Sequence, residues 1–502
     1  MSRARDASTF DEPTIDPEQG SSEDGLRVTV VWHRDPERVG ASAWLAWGRR
    51  PLAFDLGRHT PQFDDGAPLD DDRISRSPLQ LVGTPAELEL WPTRDGLRFD
   101  VDGRPGTGGL PLSADALARG VRVGLGKGAL VELRRGPAPQ RPPAGALVGR
   151  SPETEALVAA LATIAAGDGH VLVCGESGTG KELVAHALHA GSRRHARPFV
   201  VVNAATLTAN LGASQLFGHV RGAFTGADAA ASGHFGAAHG GTLFLDEIGA
   251  CPLDVQALLL RALEVGEAQV VGGPLRKVDV RVIAATDADL VAACEDGAFR
   301  APLYHRLARR IVRLAPLRAR PVDIAVQAVH FLREGLRLRG WPWPQRGPED
   351  PPWLARAFIE ALLAWRWPGN TRELRALIDR TLDRDVDAPT CGSPPFEAFT
   401  RAAPADPAAA NSPGMGASLA TIVATLERCD YRLTAAAEQL GMSRNTLKRR
   451  MESANLRRPV DIAVDELRAA LAREGGVPGA ARALRVSEHG LRIRMTQLGL
   501  TG

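Results

Sequence analysis

The sequence predicts a multidomain protein with an amino-terminal β-sandwich, a central α/β domain that continues into a helical subdomain, and an all-α carboxyl-terminal part. The first quarter has short apolar runs separated by Gly, Pro and Asp, which is typical of strands and turns. The middle alternates amphipathic helices with short apolar strands, and the end has helical periodicity throughout. At 502 residues, the chain has room for about three to five domains.

Composition and charge exclude several classes of protein. Hydrophobic residues make up 44% of the chain, which argues against a disordered or collagen-like protein. The 61 basic and 59 acidic residues nearly cancel, so the whole-chain charge indicates no particular partner. No apolar run is long enough for a membrane span, and the polar amino terminus predicts no secretory signal. We therefore expect a cytoplasmic protein.

The cysteines agree with that location. They are odd in number and far apart, so neither a disulfide framework nor a CxxC metal site is expected, and reduced thiols are predicted. The five are Cys174, Cys251, Cys294, Cys391 and Cys429.

The amino-terminal part begins with a polar segment, residues 1–24, that we predict to be disordered. Residues 25–135 form the β-rich module, and the Pro-rich residues 136–146 form a linker. The apolar runs that predict strands are Leu26–Trp32, Ala43–Trp47, Leu79–Val82, Leu88–Trp91 and Leu97–Val101.

Residues 147–318 are predicted to form the α/β domain, because alternating helices and short buried strands favour a parallel sheet covered by helices on both faces. Residues 319–385 are predicted to be all-helical, and the Pro-rich residues 386–416 form a second linker. The strand predictions are Val171–Cys174, Phe199–Val202, Thr242–Leu245 and Val280–Ala284.

The carboxyl-terminal residues contain an internal repeat. Residues 433–456 align with 477–500 at a constant offset, and the matching apolar positions fit a packed pair of helices. We therefore divide this part into residues 417–457 and a second, similar unit, 458–502.

A glycine-rich loop follows the first predicted α/β strand and precedes a helix, which is the context that a phosphate-binding loop requires. Glycines let backbone N–H groups surround phosphate oxygens, and the helix amino terminus adds partial positive charge. Lys181 is one of only four lysines in the chain and is placed to reach the terminal phosphates. The nucleotide-binding residues predicted here are Gly175, Glu176, Ser177, Gly178, Thr179, Gly180, Lys181 and Glu182.

Two carboxylates follow the strand Thr242–Leu245. In a phosphoryl-transfer site, the first, Asp246, would hold Mg²⁺ directly or through water, and the second, Glu247, would orient or polarise the attacking water. The sequence therefore predicts ATP and Mg²⁺ as ligands.

These motifs carry a specific resemblance. The hexapeptide Gly222, Ala223, Phe224, Thr225, Gly226 and Ala227 resembles the loop with which sigma-54-dependent activators, bacterial enhancer-binding proteins of the AAA+ ATPase class, contact the sigma factor. The phosphate loop, the sequence around Asp246, and Trp367–Asn370 are similar to the same family. The resemblance extends over about residues 147–385.

The resemblance implies further roles. Asn203 looks like the residue that switches Glu247, and Arg372 like the lid residue that senses the nucleotide. Arg300 and Arg306 look like fingers that reach a neighbouring subunit's ATP, so the active form would be a ring, typically a hexamer. The hexapeptide would be the contact to sigma-54 RNA polymerase.

The chain also differs from the family pattern at four positions. Asp287 stands where the family usually has Asn, and Pro302 replaces an acidic residue. Val220 and Val270 stand where the family usually has Glu and Arg. All four positions belong to nucleotide sensing or its relay to the contact loop.

Residues 45–133 resemble a forkhead-associated (FHA) domain, a β-sandwich that binds phosphothreonine peptides. Within it, Arg58 and Ser75 would hold the phosphate through charge and a hydroxyl donor, and Arg76 would assist. The alternative is a sandwich that serves only to dock onto the ATPase or another partner.

Residues Leu433–Met451 resemble the Fis-type helix-turn-helix of the same activators. Ser443 would cap the second helix, and the residues predicted to contact upstream enhancer DNA are Ser443, Arg444, Asn445, Thr446, Lys448 and Arg449. The second repeat would bind DNA weakly, extend the site or only dimerise.

Together these features predict a transcription activator that hydrolyses ATP to remodel sigma-54 RNA polymerase and open promoters, gated by phosphothreonine recognition. Two alternatives remain at this point. One is an ATP-binding DNA-binding regulator with little turnover, and the other is a scaffold recruited by a phosphopeptide.

Overall fold

The computed structural model describes residues 25–138, 147–343 and 352–384, except for 48–51, 77–78, 85–86, 95–96, 107 and 209–210. Beyond these it describes 425–426, 429, 436, 439, 464–474, 476–484, 491 and 495. The chain divides into two compact units, Met1–Pro395 and Phe396–Gly502. The predicted tail 1–24, most of the linker 136–146 and all of the linker 386–416 lie outside the described residues.

The first domain is a sandwich of two antiparallel sheets, with strand orders β2-β1-β10-β9-β6-β7 and β3-β4-β5-β8. Leucine, valine and phenylalanine side chains of both sheets form one buried core between them. The elements are β1 (Gly25–His33), β2 (Ser42–Ala46), β3 (Leu52–Leu56), β4 (Leu79–Gly83), β5 (Glu87–Pro92), β6 (Phe99–Val101), β7 (Arg104–Pro105), β8 (Leu110–Ser113), α1 (Ala114–Arg119), β9 (Val121–Leu125) and β10 (Ala129–Gly136).

Each of the five apolar runs predicted as strands overlaps a strand of the structure, so the β-rich prediction is confirmed. The remaining strands are shorter or more polar. β3, for example, is only five residues long and exposes Ala53 and Asp55. Their pairing with neighbouring strands, as β3 pairs with β4, holds them in the sheets more than their own composition does.

The second domain is built on a five-stranded parallel sheet of order β12-β13-β16-β11-β17, with apolar cores on both faces. Its elements are α2 (Pro152–Ala166), β11 (Val171–Cys174), α3 (Lys181–Ala190), β12 (Phe199–Asn203), α4 (Gly212–Phe217), α5 (Gly233–Ala237), β13 (Thr242–Asp246), α6 (Leu253–Val265), β14 (Glu267–Gln269), β15 (Leu275–Lys277), β16 (Arg281–Thr286), α7 (Leu290–Glu295), α8 (Ala301–Leu307) and β17 (Ile311–Arg313).

The four predicted strands are confirmed, and the prediction of a parallel sheet is correct. The sequence did not predict the edge strand β17 or the hairpin β14–β15. Each of these three strands is three residues long and contains a charged or amide side chain, so none of them shows a recognisable apolar run.

Three helices follow the sheet: α9 (Pro321–Leu338), α10 (Arg356–Ala364) and α11 (Asn370–Arg384). They form the lid, and Asp323 of α9 joins the lid to the start of α2. Its fully buried carboxylate accepts hydrogen bonds from the backbone N–H groups of Arg150 and Ser151 and from the hydroxyls of Ser151 and Thr154. These bonds satisfy donors at the beginning of α2, which would otherwise have no partner.

In the carboxyl-terminal unit the structure describes two helices, α12 (Val464–Glu474) and α13 (Val477–Ala483), which lie in the second repeat. Leu467, Ala470, Ala480 and Leu491 form a buried cluster. The apolar positions of this repeat therefore pack together as helical periodicity predicts. Among the described residues of both units, no helix has the length and apolar character needed to cross a membrane.

A buried acid in the sandwich predicts a pH dependence of stability. Glu132 of β10 is only 2% exposed, and desolvation raises its pKa to about 7. Between pH 4.5 and 7 the folded protein keeps a proton that the unfolded chain has released, so raising the pH through this window lowers the free energy of unfolding. The loss amounts to about 3 kcal/mol when the carboxylate is fully ionised.

Glu132→Gln keeps the size of the side chain and removes its ionisation. We expect this variant to unfold at a higher temperature than the wild type at pH 8 and to show a smaller loss of melting temperature between pH 5.5 and 8. Glu87→Gln, at an exposed position in the same domain, should leave the pH dependence unchanged. Equal pH dependence in the wild type and Glu132→Gln would contradict the assignment.

Candidate functional site

The predicted phosphate loop lies between β11 and α3, at the carboxyl edge of the parallel sheet. Gly178 and Gly180 have φ angles of 77° and 102°, in the left-handed region that favours glycine. A Cβ on Gly178 would come within 2.2 Å of the carbonyl oxygen of Gly369, so the loop also lies directly against the lid. These glycines thus allow both the curvature of the loop and its close approach to the lid.

Lys181, the first residue of α3, is held by the loop itself. Its Nζ donates to the carbonyl oxygens of Gly175 at 2.7 Å and Glu176 at 3.2 Å, and the Thr179 hydroxyl also donates to Glu176 O. Glu182 is exposed and lies 4.0 Å from His186 on the next turn of the helix. The ammonium group is therefore placed over the centre of the loop, where phosphate oxygens would bind.

The two predicted carboxylates stand at the end of β13. Asp246 is half-buried and its Oδ1 accepts a hydrogen bond from the backbone N–H of Glu247, while Glu247 is exposed and has a φ of 54°. Desolvation raises the pKa of Asp246, and the positive charge of Lys181 acts against that rise. A hard cation bound beside Asp246 would stabilise the ionised carboxylate and offset its desolvation, which suits this side chain to Mg²⁺.

Within the described residues, no group of three or more His, Cys, Asp and Glu side chains is arranged to hold a metal ion. Magnesium in nucleotide sites commonly takes most of its ligands from phosphate oxygens and water, and an ion at Asp246 would do the same.

Asn203 ends β12 directly opposite Asp246 in the parallel pairing of β12 with β13. Its side-chain oxygen accepts a hydrogen bond from the backbone N–H of Ala205 at 2.8 Å. The residue predicted to act on Glu247 is thus adjacent to the acidic pair, and here its side chain caps a short turn.

Three side chains, two from the lid and one from the turn just before it, contact the phosphate loop. Arg372 donates to the Ser177 hydroxyl at 3.1 Å, and Arg318 makes two hydrogen bonds to Glu176 at 2.6 and 2.8 Å. Asn370, which is fully buried, donates to Glu176 Oε2 and to Ser177 O. The Arg318 guanidinium and the Asn370 amide hold the pKa of Glu176 below its usual value.

The sequence indicated Arg372 but missed Arg318 and Asn370 as parts of the site. Asn370 also accepts a hydrogen bond from the backbone N–H of Leu317, and its φ of 50° is one that asparagine tolerates better than most residues. Asn370 is the last residue of the motif Trp367–Asn370, and this motif could have indicated that Asn370 belongs to the site. Arg318 is one of many arginines, and nothing in its spacing distinguishes it.

Arg300 and Arg306, the predicted fingers, both bind the backbone of α6. Arg300 Nε donates to Leu253 O at 3.0 Å, and Arg306 donates through Nε and a terminal nitrogen to Leu263 O. In this single chain the two guanidinium groups therefore contact α6 carbonyl oxygens.

The predicted contact loop, Gly222–Ala227, projects between α4 and α5. Gly222 and Gly226 have φ angles of 79° and 96°, and a Cβ on either would meet no other atom within 4 Å. Phe224 is 38% exposed, Thr225 is exposed, and Ala227 is buried at the base. Glycine is thus required here by backbone angle, and the loop presents an aromatic side chain to solvent.

The two family departures Val220 and Val270 meet at the base of this loop. A Cβ on Gly273 would lie 2.9 Å from Val220 Cγ1 and 3.2 Å from Val270 Cγ1, so both side chains flank the same residue. Val220 N also donates to Val271 O at 3.1 Å. Two apolar side chains thus occupy positions where the family usually has an acid and a base.

In the sandwich, Arg58 is 8% exposed and binds the segment that follows it. Its guanidinium donates to Ile74 O, Asp72 O and Asp72 Oδ1. Ser75 and Arg76 are exposed, and Ser75 borders a pocket that Gly57, Arg98 and Gly126 also line. The three predicted phosphate-binding residues thus belong to one loop region, where Arg58 holds the backbone in place.

The residues predicted to contact DNA lie outside the described residues; they are Ser443, Arg444, Asn445, Thr446, Lys448 and Arg449. Their positions therefore remain a prediction from sequence.

The domain has a parallel sheet, a phosphate loop with its lysine, an acidic pair at the end of β13, and a helical lid in contact with the loop. These features define an AAA+ ATPase domain. Comparisons with known proteins agree. Residues 147–313 match the model of the sigma-54 interaction domain, and residues 420–453 match that of the Fis family of bacterial regulatory proteins.

Several characterised proteins are similar to this chain. The nitric oxide reductase transcription regulator NorR2 of Cupriavidus necator is 46% identical over 48% of this chain and 45% of its own length. The transcriptional regulatory protein ZraR of Klebsiella oxytoca is 38% identical over 67% of this chain and 75% of its own length. The regulator NtrC of Azospirillum brasilense is 44% identical over 47% of each chain. The chain thus spans about half to three quarters of the length of these relatives.

Solved structures are similar over part of the chain. NtrX from Brucella abortus in complex with ADP is 32% identical over 61% of this chain and 69% of its own, with a TM-score of 0.45. The complex of NtrX with ATP gives 31% identity and a TM-score of 0.43 over 62% of this chain and 70% of its own.

The chain belongs to the family of sigma-54-dependent transcriptional regulators. It combines the ATPase domain of that family with a Fis-type helix-turn-helix.

Proposed function

We propose that this protein activates transcription by using ATP hydrolysis to remodel sigma-54 RNA polymerase at promoters. The observation that carries the proposal is the loop Gly222–Ala227, which exposes Phe224 and Thr225 on the same domain as the phosphate loop. An exposed aromatic side chain on a loop with glycines in the left-handed region contributes little to stability and suits a docking tip. A regulator that only binds ATP, or a scaffold, would have no use for it.

The hydrolytic step follows from the geometry at the sheet edge. Lys181 and the loop N–H groups bind the phosphates, and Mg²⁺ beside Asp246 would neutralise charge on the phosphate oxygens. Glu247, exposed beside Asp246, orients the attacking water and accepts its proton. Asn203, at the neighbouring strand end, positions Glu247 when the nucleotide is bound.

The active form is a ring, for which a hexamer is the expected size. Arg300 and Arg306 bind α6 backbone carbonyls in the single chain, and in the ring they would turn towards the ATP of a neighbouring subunit. Arginine suits this role because its planar, permanently charged group matches phosphate oxygens. Residues 417–457 would bind upstream DNA and bring the ring close to the promoter.

The sandwich supplies regulation. Its order of motifs suits a phosphothreonine reader, in which Arg58 positions the loop and the exposed Ser75 and Arg76 meet the phosphate. Loss of phosphothreonine recognition would leave the ATPase chemistry of the central domain intact.

Trapping a complex with sigma-54 tests the proposal. The wild-type protein with ADP and aluminium fluoride, a mimic of the transferring phosphoryl group, should form a stable complex with purified sigma-54 on native gels. Thr225→Ala should weaken that complex about tenfold or more, because the loop tip loses a contact at the centre of a small interface.

Thr208→Ala is the matched control, since Thr208 is an exposed threonine of the same domain outside the loop. It should trap sigma-54 as well as the wild type does. ATP hydrolysis should be retained in both variants. Equal trapping by Thr225→Ala and the wild type would overturn the assignment of the loop.

A further inference from the structure

Strand β1 of the sandwich is buried on both faces. Leu26, Val28 and Val30 point into the sandwich core, as expected for a strand of such a sheet. The alternate residues should be exposed, but Arg27 is only 2% exposed and Trp32, beyond a bulge, only 1%. The outer face of this strand is therefore covered, and its cover is the ATPase of the same chain.

One set of contacts joins the sandwich to the α/β core. The Arg27 guanidinium binds both carboxylate oxygens of Glu155, at 2.6 and 2.8 Å, and the carbonyl oxygen of Arg150. Arg134 binds both oxygens of Glu153. Both acids lie in the first turn of α2, so this set of contacts fixes the sandwich to the helix that begins the α/β core.

A second set joins the sandwich to the lid. Trp32 Nε1 donates to Leu354 O at 2.8 Å, immediately before α10. Arg356, the first residue of α10, binds both oxygens of Asp100 at 2.7 and 2.9 Å and also Gly126 O. Asp100 lies in the β6–β7 hairpin, so this set of contacts fixes the start of α10 to the sandwich.

The two sets lie on either side of the joint between core and lid. That joint is the buried carboxylate of Asp323, which binds the N–H of Arg150, the same residue whose carbonyl accepts from Arg27. A rotation of α10 relative to α2 must therefore break contacts of the sandwich on one side or the other. Bidentate arginine–carboxylate pairs tolerate little change in geometry.

We propose that this face of the sandwich, formed by Arg27, Trp32, Asp100 and Arg134, is an intramolecular docking surface that braces the lid against the core and slows the ATPase cycle. The lid carries Arg372 and Asn370, which contact the phosphate loop, so restraining the lid restrains the site. The effect on rate rests on the ATP hydrolysis proposed above, whereas the brace itself does not.

The test uses the full-length protein and amide hydrogen exchange of α10 as its main readout. Asp100→Asn removes a charge from the lid anchor with little change in shape. Asp102→Asn is the matched control. Asp102 lies in the same hairpin, but it pairs with Arg122 of the sandwich itself and not with the lid. We expect about three- to tenfold faster exchange in α10 and a similar rise in kcat for Asp100→Asn, and neither for Asp102→Asn.

Glu153→Gln distinguishes a brace from local fraying of α10. It weakens the anchor on the core, away from α10, and should still speed exchange in α10. Faster exchange for Asp100→Asn alone, or a lower kcat with faster exchange, would overturn the proposal. If the wild type does not hydrolyse ATP, the proposed function fails, but the exchange of α10 in the two variants still decides for or against the brace.

Discussion

Glu247→Gln is expected to lower kcat for ATP hydrolysis about a thousandfold while ATP binding stays within a few fold of the wild type. The carboxylate is exposed at the end of β13 and makes no contribution to the fold core, so the loss is chemical. Glutamine keeps the shape but cannot accept the proton of the attacking water. Phosphate release measures the rate, and a fluorescent ATP analogue measures binding.

Glu87→Gln, an exposed carboxylate of the sandwich, serves as the control and should hydrolyse ATP at the wild-type rate. Equal rates for Glu247→Gln and the wild type would mean that the chain binds ATP without the proposed turnover. That result would favour the nucleotide-sensing regulator over the ATP-driven activator.

Arg306→Ala is expected to reduce kcat about a thousandfold, the range observed for arginine fingers. In the single chain this side chain hydrogen-bonds the carbonyl oxygen of Leu263 in α6, so its removal should cost that one interaction and leave the fold intact. If the arginine acts across a subunit boundary, mixing Arg306→Ala with Glu247→Gln should restore activity. Mixed rings then contain sites with an intact Glu247 and an intact Arg306 from the neighbour.

The control mixes Glu247→Gln with the double variant Arg306→Ala/Glu247→Gln, which contains no intact Glu247 and should stay inactive. Rescue depends on assembly, so it should also require a protein concentration at which rings form. Failure of the two single variants to complement would contradict action in trans, provided that each still binds ATP.

Much of the ATPase fold was predictable because its motifs are local. The phosphate loop, the acidic pair and the contact loop each lie within a few consecutive residues, and four of the five sheet strands form clear apolar runs. The edge strand β17 was missed because Ile311–Arg313 is too short to show a pattern. Its place beside β11 depends on tertiary pairing, which no window of sequence reveals.

The site was less predictable where it depends on contacts between distant residues. Arg318 and Glu176 are separated by 142 positions, and Asn370 and Glu176 by 194. Val220 and Val270 are single departures in the sequence, but the fold places both beside Gly273. The two apolar side chains therefore lie together at the base of the contact loop.

In the sandwich, too, contacts between residues distant in sequence could not be predicted. The sequence singled out Arg58 for phosphate, and the structure gives its guanidinium three partners in the segment 72–74. The sequence contained no sign that Arg27 or Trp32 would face the ATPase, because a single arginine in a strand resembles any outward-facing residue. Only the three-dimensional arrangement shows that the outer face of β1 is an interface.

Promoter opening tests the central claim most directly. The DNA site would first be selected from random sequences with the full-length protein, and then placed upstream of a sigma-54 promoter on supercoiled DNA. With purified sigma-54 RNA polymerase, we predict that the wild type opens the promoter with ATP but not with ADP, and that Thr225→Ala opens it with neither. Active ATP hydrolysis and DNA binding without any promoter opening would contradict the account.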